Sequence, residues 1–397
     1  MAHLRSLAAA PLGRSAIPFK PISLSQRGIF DVIVKKNSGK PIIRYGTGGR
    51  SSVSGHTATV FGASGFLGRY VVSKLAKAGT QVIVPYRDAD EVRFLRVTGD
   101  LGQIVPMEWD IRKPHQIEEC LRHSDVVYNL VGRDWETRNN KFDDIFATGP
   151  GEIARIAKEN NVDRFIHVSH LNADLNSPSS FYRAKAKGEL LVREAFPDAT
   201  IVRPSGVFGF EDRLLNQAAR WPFLWCQNGG KTQIRPVHFT NLSHALVNLM
   251  DADHSSPGLT LSLPGPKTYT NGQLLETIRT FTLKNPSLLE VSLPKAPLQF
   301  VAGITNRVLW WPFMDRDKIE RAYINDLTDA DIRIAKQGLS AADSWRVCGF
   351  ELDQLDTIEE HAIKYLRIYR PYDRVVEPST VGSVYKNQKN KAYKVIE

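Results

Sequence analysis

Three glycines, Gly62, Gly65 and Gly68, recur every third residue directly after the β-branched and aromatic run Thr57–Phe61. Apolar residues then fall at helical spacing, so the sequence predicts a strand, a glycine turn and a helix. A helix N-terminus in this setting can hold a dinucleotide pyrophosphate, because its unpaired N–H groups and its dipole favour negative charge. The alternative is a tight turn that only packs helix against strand. The residues of this loop predicted to contact a cofactor are Gly62, Ser64, Gly65, Phe66, Leu67 and Gly68.

The second predicted strand is Gln81–Tyr86, and Arg87 stands at its end. In such folds an acidic residue at this position binds the ribose 2′-hydroxyl of NAD, whereas an arginine accommodates the 2′-phosphate of NADP. Asp88 follows immediately and weakens the distinction, but Arg87 holds the decisive position. We therefore predict NADPH as the cofactor. The alternative for Arg87 is a solvated strand end.

The ends of later strands supply the other predicted contacts. Asp110 follows a strand over 104–109, where its carboxylate can accept a hydrogen bond from the adenine amino group. Gly132 follows a strand over 125–131 and lets the chain pass close to the cofactor. The further residues predicted to contact the cofactor are Ile111, Leu130, Val131, Ser169, Lys185 and Pro204.

The helix after the fifth predicted strand, 163–168, carries the sequence Ser-Phe-Tyr-Arg-Ala-Lys over 180–185. With the glycine pattern, Asp110 and the run Arg-Pro-Ser-Gly-Val-Phe-Gly over 203–209, it resembles the short-chain dehydrogenase/reductase superfamily in its extended or atypical branch. The resemblance covers about residues 56 to 270. It implies that active members use a serine, a tyrosine and a lysine, with the last two spaced Tyr-x-x-x-Lys on one helix face. The ammonium lowers the phenol pKa and so enables proton transfer near neutral pH.

Lys185 takes the place of that lysine, but Phe181, four residues before it, has no hydroxyl. Tyr182 comes one residue late, about 100° round the helix. The sequence therefore predicts a cofactor site without its proton donor, in which Lys185 binds the nicotinamide ribose. A distorted helix that brings Tyr182 into place is the alternative, and it would make the protein an active NADPH-dependent reductase or epimerase. Ser169 and His170 are expected to be cofactor neighbours or satisfied polar groups.

Strands alternating with helices predict an α/β fold, a Rossmann-type doubly wound parallel sheet over 57–235. Beyond it, prolines, tryptophans and short helices indicate a smaller α+β C-terminal lobe over 236–370. A last predicted strand covers 200–202. The predicted helices cover 66–78, 142–159, 179–194, 241–250, 271–283, 315–322 and 353–369.

The net charge of +10 belongs mostly to the N-terminal segment, because residues 1–56 hold nine basic residues and one acid. The near-neutral remainder argues against a nucleic-acid partner and against the alternative of an RNA-binding protein of this fold. Residues 1–30 contain four basic residues, several serines and alanines and no acid, which is typical of a mitochondrial transit peptide. Residues 31–56 are predicted to form an extended or looping arm, and 371–397 a polar basic tail.

Two compositional features exclude other classes of protein. Cys120, Cys226 and Cys348 have no metal-ligand spacing, which fits a reducing compartment and argues against a zinc site. The apolar stretch over 298–314 is interrupted by polar residues and a proline, and it is too short to cross a bilayer.

The arm over 45–55, with its Gly-Thr-Gly-Gly-Arg-Ser-Ser core, is more specific than the reductase motifs. It resembles a family of nucleotide-binding accessory subunits of mitochondrial respiratory complex I. That resemblance implies a non-catalytic subunit that holds NADPH and lies peripherally on the matrix side of the inner membrane. Its implied partners are other complex I subunits, near the junction of the hydrophilic and membrane arms. The stretch over 298–314 is expected to contact a partner or the lipid interface, or to belong to the ordinary core.

Overall fold

Seven parallel strands form the central sheet of the computed structural model. The structure describes residues 30–34, 41–46, 49, 52–137, 139–220, 228–251, 258–282, 295–308, 315–328, 331 and 339–370. The strands of this sheet are β3 (Thr57–Phe61), β4 (Gln81–Tyr86), β5 (Ile104–Glu108), β6 (Val126–Asn129), β7 (Arg164–Val168), β8 (Thr200–Pro204) and β12 (Thr260–Leu263). They lie side by side in the order β12-β8-β7-β6-β3-β4-β5. The predicted doubly wound α/β sheet is confirmed.

Helices cover both faces of this sheet, which is why its strands read as continuous apolar runs. On one face α1 (Phe66–Lys77) and α7 (Phe239–Asp251) pack against Val60, Val82 and Tyr128. On the other face lie α3 (Pro114–Leu121), α4 (Gly149–Glu159) and α5 (Ser180–Ala195). The short helices of this half are α2 (Ala89–Arg93) and α6 (Leu215–Arg220).

The end of α1 confirms one local prediction. The helix stops at Ala78, and Gly79 follows with φ of +79°, the left-handed conformation that favours glycine. The sequence did not predict α2 or α3, although Pro114 stands at the first turn of α3, where proline is favoured.

The predicted helix over 142–159 is confirmed in its extent, but a π segment interrupts it. Residues 142–143 are helical, Asp144–Thr148 form a π turn, and the regular helix α4 runs from Gly149 to Glu159. Pro150 has no N–H to donate to the carbonyl four residues before it, and its ring would clash there. The Gly149 N–H bonds instead to the carbonyl of Asp144, five residues back. The π turn packs closely on α5, since a Cβ on Gly188 would lie 1.8 Å from the Phe146 carbonyl oxygen.

The C-terminal lobe is largely helical. The predicted helix over 353–369 is wrong in length, because Leu355 is extended and the helix begins at Ile358, between two 3₁₀ turns. Two short strand pairs join this lobe to the sheet or lie within it. The helices are α8 (Asn271–Thr282), α9 (Lys295–Val308), α10 (Arg316–Arg321), α11 (Ala341–Val347) and α12 (Ile358–Leu366). The short strands are β9 (Val207–Phe208), β10 (Gln233–Ile234), β11 (Val237–His238) and β13 (Tyr269–Thr270).

The N-terminal arm is a β-hairpin of β1 (Phe30–Val34) and β2 (Pro41–Tyr45), paired antiparallel. The sequence predicted only an extended or looping segment here. Residues 1–29, Cys226, 309–314 and the tail over 371–397 lie outside the described residues. Within the described residues, no helix has the length and apolar character needed to cross a bilayer.

Candidate functional site

The glycine loop lies between β3 and α1, and its three glycines have different roles. Gly62 has φ of +79°, and a Cβ there would lie 2.8 Å from the Leu130 carbonyl. A Cβ on Gly68 would lie 2.3 Å from the Gly62 carbonyl oxygen. The packing of the chain alone therefore requires these two glycines. Gly65 differs, because its added Cβ would meet only the Gly62 oxygen, at 3.2 Å.

The start of α1 is suited to an anion. Gly65 is the N-cap residue in an extended conformation, has no side chain to accept from the helix, and the described first turn contains no acidic residue. Arg69 stabilises the glycine loop. Its Nε donates to the Ser64 carbonyl at 3.0 Å, and its guanidinium forms an ion pair with Glu211 at 2.7 Å. The N–H groups of the first turn are left to bind a negatively charged group.

Arg87 lies exposed just beyond β4. The neighbouring Asp88 is already used, because its Oδ1 accepts from the Asp90 N–H at 3.0 Å and caps α2. A second arginine, Arg133, follows Gly132 at the end of β6. Burial, and then the charges of Arg87 and Arg213, hold the pKa of Arg133 below its ordinary value. Sequence reasoning missed Arg133, although it directly follows the predicted Gly132.

The other predicted contact residues lie along the same edge of the sheet, and three of them have specific contacts. The Asp110 Oδ1 accepts from the Arg112 N–H at 2.9 Å, which fixes the turn after β5. Ile111 packs against Gly149, whose added Cβ would lie 2.3 Å from the Ile111 Cδ1. The Pro204 carbonyl accepts from the Leu171 N–H at 2.8 Å. Leu130 and Val131 line the turn at Gly62.

Lys185 and Ser169 are brought together by α5 and the end of β7. The Lys185 Nζ donates to the Ser169 carbonyl at 3.1 Å and lies 4.8 Å from the centre of the Phe146 ring. Burial lowers the pKa of Lys185 to about 8. The Ser169 hydroxyl is buried and has no hydrogen-bond partner among the described residues. A buried hydroxyl of this kind fits the polar end of a ligand in the cleft, because leaving it unpaired is costly.

Phe181 occupies the tyrosine position and is packed from all sides by rings and cations. Its ring lies 4.9 Å from Phe146 and 5.6 Å from Phe142, and the Arg321 guanidinium stands 4.3 Å above it. The Lys185 Nζ is 5.5 Å from its centre. The ring therefore fills the space between the lysine and the C-terminal lobe without offering a hydroxyl.

Tyr182, the alternative tyrosine, lies against His170. Its ring lies 4.8 Å from the His170 ring, and its hydroxyl bonds to the Asn172 side chain. Burial, and then the charge of Asp326, raise the pKa of Tyr182 to about 12, the opposite of what an acid or base near neutral pH needs. Burial, and then the Lys185 charge, lower the pKa of His170 to about 3, so that ring is neutral. Its Nδ1 accepts from the Asn172 N–H at 3.1 Å, as a structural histidine does.

A residue from the C-terminal lobe caps the helix that carries these groups. Asp317 accepts from the Ser180 N–H at 2.7 Å, from the Ser180 hydroxyl at 2.9 Å and from the Ser179 hydroxyl at 3.0 Å. The next turn of α10 places Arg321 over Phe181. No local sequence signal reveals this contact, because 137 residues separate the two partners.

One cluster of the described residues, His238, Asp356 and His361, has nitrogen and oxygen atoms within 4.8 Å of one another, as a metal site requires. Its geometry favours hydrogen bonding instead. The two imidazole rings stack at 4.5 Å and 6°, so their in-plane lone pairs run parallel and do not converge on one ion. The His238 Nδ1 bonds to Asp356 at 2.7 Å and its Nε2 to the Tyr365 hydroxyl at 2.6 Å.

The buried lysine predicts how nucleotide binding responds to pH. An anionic ligand beside Lys185 raises its pKa above about 8, so the bound form holds the proton more tightly. Affinity for a nicotinamide nucleotide is therefore expected to be highest below pH 8 and to fall as pH rises above it, by up to about fivefold between pH 8 and 9. Fluorescence titration of the purified chain checks this. Lys185→Met should remove the dependence, and Lys187→Met, on the exposed side of the same helix, should retain it. A flat profile in the wild type contradicts the assignment.

Comparison with known proteins agrees with this geometry. A family model described as NAD(P)H-binding matches residues 62–213. The chain is 46% identical over 319 residues to the mitochondrial NADH-ubiquinone oxidoreductase 40 kDa subunit of Neurospora crassa, covering 80% of this chain and 84% of that protein. It is 40% identical over 335 residues to NADH dehydrogenase (ubiquinone) 1 alpha subcomplex subunit 9, mitochondrial, of Mus musculus, covering 83% and 87%.

Two solved structures show the same fold at low identity. A nucleoside-diphosphate-sugar epimerase from Staphylococcus aureus has a TM-score of 0.57 at 11% identity, covering 79% of this chain and 99% of that one. The triphenylmethane reductase of Citrobacter has a TM-score of 0.57 at 14% identity, with the same coverage. The chain itself has the fold of these two enzymes and belongs to the family of mitochondrial complex I subunits that includes the 40 kDa subunit and alpha subcomplex subunit 9.

Proposed function

We propose that this chain is a non-catalytic accessory subunit of mitochondrial respiratory complex I that holds NADPH as a structural ligand. The observation that carries the proposal is a complete nucleotide cradle beside a missing proton donor. Gly65 and the start of α1 are left for a pyrophosphate, while Phe181 stands four residues before Lys185 in place of a phenol. The raised pKa of Tyr182 supports the same conclusion.

The choice of NADPH over NADH is supported by charge. Arg87 is exposed at the end of β4, and the Asp88 carboxylate already accepts a hydrogen bond from the Asp90 N–H at the start of α2. Arg133 lies within electrostatic reach of Arg87. Two cations in this place favour a 2′-phosphate dianion, and a free ribose hydroxyl would not compensate their mutual repulsion.

In this role the cofactor stabilises the subunit and so supports assembly of the complex. A ligand at about a thousandfold above its Kd stabilises the folded state by roughly 4 kcal/mol. The subunit sits peripherally on the matrix side of the inner membrane, where the hydrophilic and membrane arms meet. Helix α9 supports a contact there, because Phe300, Val301 and Ile304 on its outer side are 66%, 49% and 50% exposed. We propose that this part of 298–314 faces lipid or a partner.

Native isolation tests the proposal. The complex that contains this chain is purified, its nucleotide is extracted, and one NADPH per chain is expected. The purified chain should not consume NADPH in the presence of aldehydes, ketones or nucleotide sugars. An empty site or bound NADH contradicts the cofactor assignment. Turnover that Tyr182→Phe abolishes would establish an active reductase instead.

A further inference from the structure

The N-terminal hairpin exposes an apolar strip on one of its faces. Val32 lies opposite Ile43 in the register of the two strands, and Tyr45 follows Ile43 on the same face because side chains alternate. Val53 then pairs with Tyr45 through an isolated antiparallel bridge. These four side chains are 53%, 39%, 51% and 51% exposed, in the order Val32, Ile43, Tyr45 and Val53. The strip is therefore continuous across three extended segments.

Such a strip is unusual for a hairpin that stands alone. A two-stranded hairpin without further packing is marginally stable in water, and contiguous exposed apolar side chains mark interaction sites. The exposed side chains on this face are valine, isoleucine and tyrosine rather than the polar residues of a solvated face. Covering this strip with another surface would stabilise both the hairpin and the contact.

Hydrogen bonds join the end of the hairpin to the sheet, at the edge opposite the predicted nucleotide site. Tyr45 and Val53 exchange two backbone hydrogen bonds at 3.0 Å, and the Ser54 N–H donates to the Gly79 carbonyl at 3.1 Å. The Ser54 and Thr80 hydroxyls lie 2.9 Å apart. These contacts are at the N-terminal ends of β3 and β4, whereas the glycine loop and Arg87 are at their C-terminal ends. The hairpin is thus joined to the sheet at the edge opposite the predicted cofactor cleft.

Charge indicates the kind of surface that fits. Residues 31–56, which form most of the hairpin and the segment that joins it to β3, hold five basic residues and one acid, while the chain beyond residue 56 is near neutral. We infer that the strip of Val32, Ile43, Tyr45 and Val53 docks on an apolar patch with an acidic surround on another subunit of the complex. This inference rests on the proposed function, since it takes the complex as the place where the chain works. Opposite charge around the patch gives orientation, and burial of the strip gives affinity.

The test uses the full chain with Val32→Thr and Ile43→Thr, which keep a β-branched side chain and its β propensity but replace apolar surface with a hydroxyl group. Expressed in cells that lack the native subunit, the double variant should enter the complex about 100-fold less well, because truncating anchor side chains has large effects. Its NADPH content and Tm should match the wild type. The matched control is Val97→Thr with Leu101→Thr, two side chains that are 78% and 107% exposed on the body. Normal incorporation of the double variant overturns the inference.

Further measurements distinguish the surfaces that could cover the strip: another subunit, a lipid membrane or a second copy of this chain. Release of the wild-type subunit from the complex should increase steeply as salt rises from 0.05 to 0.3 M, and insensitivity to salt overturns the acidic surround. Loss of vesicle binding (phosphatidylcholine with 20% cardiolipin) by the double variant would assign the strip to lipid instead. Loss of a wild-type dimer in light scattering would assign it to a second copy. Failure of the proposed function is distinct, because then the wild type itself lacks NADPH or does not enter the complex.

Discussion

Gly65→Ala is expected to lower the affinity for NADPH about 100-fold, or about 2.7 kcal/mol, while the chain stays folded. Gly65 has φ of −70° and ψ of 169°, which alanine adopts without strain, and its Cβ would meet only one oxygen at 3.2 Å. The new methyl group instead occupies the side from which a pyrophosphate approaches the helix start. Isothermal titration of the nucleotide-free chain measures the loss.

Substitutions at two other glycines distinguish loss of the nucleotide from loss of the fold. Gly272→Ala, at the start of α8, is the control, because its Cβ would have no neighbour closer than 3.5 Å and its φ is not positive. Gly68→Ala should instead unfold the loop, since the Cβ would lie 2.3 Å from a backbone oxygen. If Gly65→Ala retains wild-type affinity, the loop is only a tight turn between strand and helix. If it reduces affinity, ligand-linked stability should fall from about 4 to about 1.4 kcal/mol at an NADPH concentration a thousandfold above the wild-type Kd.

Arg87→Asp is expected to reverse the nucleotide preference of the chain. The 2′-phosphate loses its charge-assisted hydrogen bonds, each contributing about 1.5–3 kcal/mol, and meets a repelling carboxylate, so NADPH affinity should fall about 100-fold. The new acid can accept from the ribose 2′-hydroxyl, so NADH affinity should rise. Competition titrations with the two nucleotides measure the change in preference.

The control for this change is Arg93→Asp on α2, whose side chain is 84% exposed and which alters the net charge equally. It should leave the preference for NADPH in place. If Arg87→Asp lowers the affinities for NADPH and NADH equally, Arg87 binds the adenosine half without distinguishing a 2′-phosphate from a 2′-hydroxyl. No change at all would make it a solvated strand end, and Arg133 would then be the residue to replace.

Local pattern was enough to predict the sheet. Strands buried on both faces have continuous apolar sequences, and the change to helical spacing at Phe66 marks the turn where the nucleotide site begins. The absence of a phenol at Phe181 was equally visible, because the Tyr-x-x-x-Lys spacing lies within one helix.

Two kinds of feature could not be predicted from the sequence. Some are contacts between residues far apart in the chain, and others are interruptions of a regular helix or strand pattern. Arg321 over Phe181 and Asp317 at the start of α5 come from another lobe, so no spacing predicts them. The π turn before α4 needed both the effect of Pro150 and the close approach of Gly188. The hairpin was missed because the segment between its second strand and β3 is rich in glycine and serine, which obscured the strands before it.

The contact of Asp317 with α5 has a consequence for how the chain matures. During synthesis the first five strands of the central sheet emerge before α5, and the carboxylate that completes the start of α5 lies 137 residues beyond Ser180. Until Asp317 is made, Ser179 and Ser180 are hydrated, and the helix start near Lys185 is not covered by α10. A premature stop codon before residue 317 would therefore damage the nucleotide half of the molecule as well as the lobe it removes. Such a product would resemble a folding mutant more than a truncated but working subunit.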